Sequence, residues 1–301
     1  MIVKEFYKMQ ASGNDFILVD HRPSTIDYRL KRGRINYKQV AKKFCERKFG
    51  VGADGLLVIE ASKKADFKMR IFNSDGSEAQ MCGNGARCVA LWAKIDQRRK
   101  TDDGRQKTED RGRKLGCRFE TVAGIIEAEV TNVKDGSGNA KIKMADVFGM
   151  SLSKPLKVCS KTINVNYLNT GVPHVVVFVQ GLEAIDVDKI GAAIRFHETF
   201  APAGTNVNFV EVLKNNLIKI RTYERGVEAE TLACGTGSAA CAIISGYKLA
   251  DEALLCDGEY KMNVSTRSGE TLGVYFNCKN NKINDVWLEG KAYLVYQGQV
   301  C

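Results

Sequence analysis

The hydrophobic pattern of the chain consists mainly of short apolar or alternating runs, which are typical of β-strands. Uninterrupted apolar runs at 16–19 and 56–59 predict buried strands, and alternation over 67–71 predicts a half-buried strand. Between the first two runs, apolar residues recur with helical spacing over 40–48, and Gly50 would cap the end of that helix. The first half of the chain is therefore predicted to form a mixed α/β unit.

The second half of the chain shows the same mixture of patterns. The segments 172–179, 206–212 and 218–223 are rich in β-branched and aromatic residues and predict strands, whereas 186–200 predicts a helix. A strand-rich segment at 285–300 follows, and we expect it to return to the first half and complete it. The sequence thus predicts two mixed units between which the chain crosses more than once.

Two segments of the chain resemble each other and account for this symmetry. Arg70–Ala90 and Ile220–Ala242 each contain a strand, a Gly-x-Glu-Ala turn, the motif Cys-Gly-x-Gly and an Ala-rich run that predicts a helix. Because the copies lie about half a chain length apart, we predict an α/β (α+β) fold of two similar domains related by a pseudo-twofold axis. The expected boundaries are 1–133 with 288–301 for the domain of Cys82, and 134–287 for the domain of Cys234.

Composition and charge exclude several classes of protein. Hydrophobic residues make up 44% of the chain, and no apolar run approaches the ~18 residues of a membrane span. The net charge of +10 is concentrated in 21–48, with ten basic and two acidic residues, and in 96–118, with nine and five. Aromatic residues do not interleave with them in a stacking pattern, which argues against nucleic-acid binding, and 96–118 is predicted to be a basic surface insertion. An N-terminus without a secretory signal predicts a cytoplasmic protein.

The ten cysteines do not form a recognisable framework. The sequence has no Cys-x-x-Cys motif, and none of its three histidines stands at zinc-ligand spacing from a cysteine pair. Without a secretory signal, a network of disulfides is not expected. We therefore predict no structural metal, and we interpret Cys88 and Cys241, which fall inside the predicted helices, as core residues.

Cys82 and Cys234 are different, because each stands directly before a glycine-rich helix start. Free amide groups and the positive end of the helix dipole at such a site bind anions and favour a thiolate over a thiol. Two such cysteines on related domains would flank one substrate, with its carboxylate on the two helix N-termini. A thiolate on one face of the α-carbon and a thiol on the other would then invert the stereocentre by general acid–base catalysis.

Longer motifs extend this pattern: KMQASGNDF, RIFNSDGSEAQMCGNGARC, TGVPH, GTNVNF and YERGVEAETLACGTG. In this combination and order the chain resembles the diaminopimelate epimerase family over nearly its full length. The resemblance implies two domains, each a strand wrap around a central helix, with the active site in the cleft between them. It also implies cofactor-independent interconversion of LL- and meso-diaminopimelate, a role in lysine and peptidoglycan precursor synthesis, and a homodimer that binds neither nucleic acid nor membrane.

The resemblance carries roles to individual residues of this chain. The catalytic group comprises Cys82 and Cys234, with Glu224 and with His174 close to the catalytic centre. Glu224 and Arg225 match a pair that contacts the ammonium and carboxylate groups of the substrate. The remaining residues implied in substrate binding are Asn14, Asn73, Gly83, Asn84, Asn206, Gly235 and Thr236, and Tyr296 matches a tyrosine at the family's dimer contact.

Other interpretations remain open at this point. A proline racemase-like enzyme would share the two-cysteine logic, but its first motif usually has His where this chain has Asn84. Residues 50–55, GVGADG, match a dinucleotide fingerprint, but they follow a predicted helix instead of a strand. A PLP-dependent racemase and a non-catalytic basic binding protein are further alternatives. Two departures from the family pattern concern the distal substrate contacts: Val172 replaces a common Asn, and Gly55 replaces a common Gln.

Overall fold

The structure is a computed structural model of the chain, and its secondary structure is mixed. Strands predominate, and the described part also contains four α-helices. The chain groups into two units, which are described separately below. The residues described are 5–22, 35–102, 116–249 and 256–299.

The first unit extends to Ile142 and includes the chain from Lys291 onward. Strands β1 and β2 pair antiparallel, β2 and β3 pair parallel across helix α1, and β4 and β6 pair parallel across helix α2. Such parallel pairs need a crossover connection, which the two helices provide. The elements are β1 (Glu5–Ala11), β2 (Asn14–Asp20), α1 (Tyr37–Cys45), β3 (Gly55–Glu60), β4 (Phe67–Asn73), β5 (Glu78–Ala79), α2 (Gly83–Asp102), β6 (Gly116–Thr121), β7 (Gly124–Lys134) and β8 (Ser137–Lys143).

The second unit, Lys143–Gly290, repeats this plan. Strands β10 and β11 pair antiparallel, β11 and β12 pair parallel across helix α3, and β13 and β15 pair parallel across helix α4. The elements are β9 (Phe148–Val158), β10 (Lys161–Asn169), β11 (Pro173–Phe178), α3 (Val187–Arg195), β12 (Asn206–Lys214), β13 (Leu217–Glu224), β14 (Ala229–Thr231), α4 (Gly235–Leu249), β15 (Gly258–Ser265), β16 (Thr271–Lys279) and β17 (Lys282–Gln299).

The repeat predicted from the sequence is therefore confirmed at the level of strand pairing. In each unit an antiparallel pair, a parallel pair across a short helix, and a second parallel pair across the cysteine-preceded helix follow in the same order. The boundaries lie at Ile142 and Gly290, where the sequence placed them at 133 and 287. Strand β8 belongs with the first unit because it pairs antiparallel with β7.

Helices α2 and α4 are the centres of their units. Every residue from Asn84 to Ala93 in α2 and from Gly237 to Tyr247 in α4 is buried, so neither helix has a polar face over these stretches. A helix that is buried all round must be enclosed by other elements. Strands β1, β2, β6 and β7 surround α2, and β10–β13 with β15 and β16 surround α4. The strand wrap around a central helix is thus confirmed in each unit.

The uninterrupted apolar run of β3 follows from its position between two helices. Leu56 and Val58 pack in the cluster that includes Phe44 of α1, whereas Leu57 approaches the first turn of α2 at Gly85. A strand covered on both faces needs apolar residues at every position. The strand at 285–300 also behaves as expected, since β17 pairs with β16 in the second unit and with β1 in the first.

Three local predictions were wrong or incomplete. Helix α1 ends at Cys45 because Glu46 is already extended, so Gly50 is not its cap. Gly50 is instead required by a close approach, since a Cβ there would lie 2.7 Å from the carbonyl oxygen of Phe44. The segment 186–200 splits into α3 and a 3₁₀ turn, because the backbone of His197 is extended.

The predicted insertion at 96–118 is also shorter than expected. Helix α2 continues to Asp102 and β6 begins at Gly116, so both ends of this segment belong to regular elements. The remainder of the segment lies outside the described residues, as do residues 23–34 of the other basic stretch at 21–48.

Candidate active site

The two cysteines of the repeat occupy the same structural position in their units. The carbonyl oxygens of Cys82 and Cys234 accept the first helical hydrogen bonds, from the N–H groups of Ala86 and Ser238, both at 2.8 Å. Each cysteine is therefore the N-cap residue of a central helix. The N–H groups of a first turn have no acceptor within the helix and can receive an anion. The first-turn residues predicted to hold a carboxylate are Gly83, Asn84, Gly235 and Thr236.

The sulfur of Cys234 receives hydrogen-bond donors from its own helix. The N–H of Gly237 donates to Sγ at 3.4 Å, and the hydroxyl of Thr236 lies at the same distance. The thiol thus takes the place that a Ser or Asp side chain takes at other helix starts. Thr170 donates to the carbonyl oxygen of Thr236 at 3.0 Å and fixes this turn. A backbone N–H aimed at sulfur, such as that of Gly237, stabilises a thiolate relative to a position without this donor.

Cys82 has an acceptor beside it. Its thiol donates to Oδ1 of Asn14 at 3.8 Å, and Asn14 is the first residue of β2. Cys82 is partly exposed, whereas Cys234 is buried. A carbonyl oxygen beside sulfur stabilises a thiol over a thiolate. The two half-sites, meaning the polar residues around Cys82 and those around Cys234, therefore differ in this contact.

A buried arginine fixes the first turn of α2. The guanidinium of Arg87 donates to Oδ1 of Asn84 and, at 2.9 Å, to the hydroxyl of Ser12 in the β1–β2 turn. Both Arg87 and Asn84 are buried. These bonds join the turn that leads to Asn14 with the helix start that follows Cys82.

Asn73 stands at the end of β4, directly opposite Gly55 in the strand register. It is exposed, and its side-chain amide donates to the hydroxyl of Ser77 at 2.9 Å. A Cβ at Gly55 would lie only 2.9 Å from the carbonyl oxygen of Phe72, which is closer than a side chain tolerates. The backbone geometry at the start of β3 therefore requires glycine.

His174 is fully buried beside the start of β12. The amide nitrogen of Asn208 donates to Nδ1 of His174 at 3.2 Å and to the carbonyl oxygen of Val175 at 2.9 Å, while its oxygen accepts from Thr222 at 3.0 Å. These three bonds orient the Asn208 amide, so Nδ1 is an acceptor and the ring proton is on Nε2. Burial, helped by the charge of Arg225, lowers the pKa of His174 to about 3 and keeps the ring neutral.

Asn206 brings the predicted residues of the second unit together. It faces His174 across the parallel pair β11–β12, and its amide nitrogen donates to the carbonyl oxygen of Pro173 at 3.0 Å. Its Oδ1 accepts the backbone N–H of Arg225 at 2.9 Å. Asn206 thus connects the start of two strands with the turn after β13, where Arg225 follows Glu224.

Glu224 is partly buried at the end of β13. Burial raises the pKa of its carboxyl group, and a hydrogen bond from the Thr231 hydroxyl opposes this shift. The side chain of Arg225 donates to the carbonyl oxygen of Ala203 at 3.2 Å. The second unit therefore presents one acidic and one guanidinium group near the strand ends that carry His174 and Asn206.

Known proteins match this chain along nearly all of its length. The sequence model of the family described as diaminopimelate epimerase matches residues 6–146 and 166–294. A diaminopimelate epimerase of Aquifex aeolicus (strain VF5) is 42% identical, over 98% of this chain and 97% of that protein. One from Hydrogenobaculum sp. (strain Y04AAS1) is 40% identical, over 97% of both chains. This chain belongs to the diaminopimelate epimerase family.

Solved structures show how widely the fold of this diaminopimelate epimerase family member is shared. A phenazine biosynthesis protein of the PhzF family from Bacillus anthracis superposes with a TM-score of 0.68, at 17% identity and full coverage of both chains. A probable proline racemase from Agrobacterium radiobacter K84 gives 0.63 at 15% identity, over 99% of this chain and 93% of that one. These similarities concern the fold.

Of the two departures from the family pattern, Gly55 has a structural explanation, whereas nothing in the described part of the structure explains the side chain of Val172. Gly55 is required by the backbone, as described above. Val172 is partly buried, and its carbonyl oxygen accepts the N–H of Thr170 at 3.1 Å. This bond helps to hold Thr170, which contacts Thr236. It uses only the backbone of Val172, so any residue at this position could make it.

Tyr296, the predicted dimer contact of this family member, lies on β17 opposite Lys8 of β1. It is about half exposed and meets the ring of Phe6 edge to face, with the centroids 6.0 Å apart. Within the described residues, no cluster of three or more His, Cys, Asp or Glu side chains has metal-binding geometry. No described helix is long and apolar enough to cross a membrane.

Sequence reasoning missed three residues that support the half-sites. Asn208 orients His174, Arg87 holds Asn84, and Asp54 holds Asn14 through a hydrogen bond of 2.7 Å. A signal existed for two of them, because Asn208 interrupts an apolar strand and Arg87 interrupts an apolar helix. Asp54 lies in the segment 50–55 between α1 and β3, whose glycine pattern resembles a dinucleotide motif and gives no indication of a contact with Asn14.

The neutral state of His174 makes stability depend on pH. The unfolded chain binds a proton at His174 near pH 6.5, but the folded protein does so only near pH 3, so acid favours unfolding. We expect His174 to remove about 3 kcal/mol of the free energy of unfolding between pH 6.5 and pH 4. Urea unfolding at several pH values measures this, and the loss should be smaller by that amount in His174→Asn. The control His197→Asn should show the same dependence of unfolding free energy on pH as the unmodified protein. The prediction is contradicted if His174→Asn also shows that dependence.

Proposed function

We propose that this chain is a diaminopimelate epimerase that interconverts LL-2,6-diaminopimelate and meso-diaminopimelate. The observation that carries the proposal is the duplicated helix start, with a cysteine as N-cap in each unit. Membership of the family supports it, as do the polar groups around each cysteine. The reaction needs one base and one acid, and the repeat supplies one cysteine for each role.

The proposed reaction requires the thiol groups of Cys82 and Cys234 on opposite faces of one α-carbon. A thiolate removes the α-proton from one face, and the C–H electron pair is delocalised into the α-carboxylate. The thiol of the other cysteine donates its proton to the opposite face and becomes the thiolate. The stereocentre is inverted, and the two cysteines have exchanged protonation states. Such proton transfers contribute ~10²–10⁴-fold to a rate.

The carboxylate is the group whose negative charge grows in this reaction. We assign it to the first turns of the two central helices, at Gly83–Asn84 and Gly235–Thr236. Amide groups fixed there before the reaction stabilise the developing charge without reorganisation. The ring of His174 is neutral, with its proton on Nε2. It therefore adds no positive charge that would stabilise the bound substrate more than the transition state.

Recognition of the substrate's amino and carboxyl groups is assigned to the polar residues at the strand ends. Glu224 suits an ammonium group and Arg225 a carboxylate, for which a guanidinium offers paired donors. Asn14, Asn73 and Asn206 provide amides that donate and accept. We also propose that the protein acts in lysine and peptidoglycan precursor synthesis in the cytoplasm, as a homodimer with Tyr296 at its contact.

Proton NMR in D₂O tests the proposed function directly. LL-diaminopimelate is incubated with the purified, reduced protein, and the α-proton signal and the isomer composition are followed. We expect loss of the α-proton signal together with formation of the meso isomer. A folded, reduced protein that leaves this substrate unchanged but exchanges the α-proton of L-proline would overturn the proposal in favour of a proline racemase-like activity.

A further inference from the structure

Asp54 forms the centre of a hydrogen-bond network beside Cys82. Its Oδ2 accepts the side-chain amide of Asn14 at 2.7 Å and the backbone N–H of Asp15 at 3.1 Å. Its Oδ1 accepts the guanidinium of Arg47 at 2.8 Å. Both carboxylate oxygens are thus occupied by donors, and one of these donors belongs to the residue that contacts Cys82.

The rest of the network fixes Asp54 in place. Arg47 also donates to Asp15 at 2.8 Å, and Lys8 forms an ion pair with Asp15 at 2.7 Å. Burial alone would raise the pKa of Asp15, but the hydrogen bonds from Arg47 and Lys8 outweigh it and hold that pKa at about 2. The backbone N–H of Asp54 donates back to the Asp15 carbonyl oxygen at 3.0 Å. Reciprocal hydrogen bonds thus hold Asp15 and Asp54 together, and we call this pair the acidic anchor.

This anchor determines which end of the Asn14 amide faces Cys82. A carboxylate only accepts hydrogen bonds, so the group 2.7 Å from Asp54 is the NH₂ of Asn14. The carbonyl oxygen must then point the other way, and it accepts the Cys82 thiol at 3.8 Å. A flipped amide would place its oxygen against the carboxylate and its NH₂ against the sulfur. An acceptor beside sulfur favours the thiol, whereas a donor favours the thiolate.

We propose that Asp54 is a positioning residue that orients the Asn14 amide and so holds Cys82 in its thiol form before substrate binds. Asp54 acts through Asn14 and touches no reacting atom. With Cys234 among donors, the resting protein then has Cys234 as the base and Cys82 as the acid. The proposal deepens the proposed function, on which it rests for its catalytic meaning, but the state of the Cys82 thiol can be measured without substrate.

Alkylation by iodoacetamide at pH 7, followed by mass spectrometry of the cysteine peptides, tests the proposal. The thiolate is the reacting form, so the rate reports its population. We expect Asp54→Ala to free the Asn14 amide and raise the Cys82 rate about fivefold, while the Cys234 rate is unchanged. Asp54→Asn keeps an acceptor for Asn14 but removes the charge, so its Cys82 rate should stay within about twofold of the unmodified protein.

Two further variants separate positioning from a charge effect. Asn14→Ala should raise the Cys82 rate as Asp54→Ala does, and Asp54→Ala should then add nothing in the Asn14→Ala background. Glu78→Gln removes a carboxylate that is paired with Arg70 in the same unit, and it should leave the rate unchanged.

The proposal fails if Asp54→Asn behaves like Asp54→Ala, or if the effect of Asp54→Ala persists without Asn14, because either result indicates charge alone. An unchanged Cys82 rate in Asp54→Ala also overturns it. General exposure of the cysteines to alkylation would show that Asp54→Ala does not fold. In that case Asn14→Ala alone tests the proposal, and an unchanged alkylation rate of Cys82 in that variant overturns it. If the unmodified protein does not epimerise diaminopimelate while the variants show the expected alkylation rates, the result counts against the proposed function and not against the role of Asp54.

Discussion

Replacement of either Cys82 or Cys234 by alanine is expected to lower kcat/KM for epimerisation by about 10⁴-fold, because each removes an acid–base group for which water is a poor substitute. The two losses should not add in the double variant, since the first already breaks the two-base reaction. Steady-state assays with both isomers measure the effect. Cys256→Ala, which removes an exposed thiol of the second unit, serves as the control and should retain full activity.

Hydrogen exchange gives these variants a second, stereochemical readout. A protein with one remaining base can remove and return the α-proton only from the face on which that base stands. We expect the Cys82 and Cys234 variants to exchange the α-proton of different isomers in D₂O, without inversion. Exchange of the same isomer by both variants would contradict the placement of one cysteine on each face.

The second large effect is expected for Gly237→Ala, which should lower kcat by about 10²-fold by displacing a reacting group. A Cβ at Gly237 would lie 3.3 Å from Sγ of Cys234 and 2.5 Å from Oδ1 of Asn208. The Asn208 oxygen cannot move away easily, because it accepts from Thr222 while the same amide holds His174. The thiol or the histidine must therefore shift.

Gly85→Ala is the matched control for this substitution, since Gly85 holds the same position in the other central helix. Its Cβ would lie 3.1 and 3.3 Å from the ends of the Leu57 and Ile71 side chains, which can adjust, and 3.7 Å from the ring of Phe16. We expect kcat to fall by less than about threefold, with a small loss of thermal stability. Equal kcat losses in the two glycine variants, at comparable melting temperatures, would show that Gly237 has no special relation to the thiol.

The parts of the fold that follow from local pattern could be predicted from the sequence. The apolar runs located β2, β3 and β11, and the two Cys-Gly-x-Gly motifs located the starts of α2 and α4, because these features depend on neighbouring residues. The end of α1 could not be located in this way. Gly50 is needed because the loop after α1 passes close to the backbone of that helix. In the sequence, a glycine required for this reason looks the same as a glycine that caps a helix.

The supporting residues of the half-sites were less predictable for a related reason. Asp54 meets Asn14 from 40 positions away in the chain, and Asn208 meets His174 from 34 positions away. Such contacts arise only once strands have paired, and the motifs that contain these two residues do not indicate their partners. Family resemblance supplied the groups that we propose to face a substrate, but the residues that orient those groups emerged only from the hydrogen bonds.

The path of β17 has a consequence for how the protein is made. Strand β1 pairs on one side with β2 and on the other with the end of β17, where Glu5 lies opposite Gln299. During synthesis, a nascent chain that has left the ribosome only as far as β16 has one edge of β1 open, and an open edge can pair with another chain. The sheet of the amino-terminal unit is therefore complete only after translation has passed the end of β17. Although the two units repeat one plan, the first cannot be obtained intact by dividing the chain at its middle, because one of its strands is the end of β17.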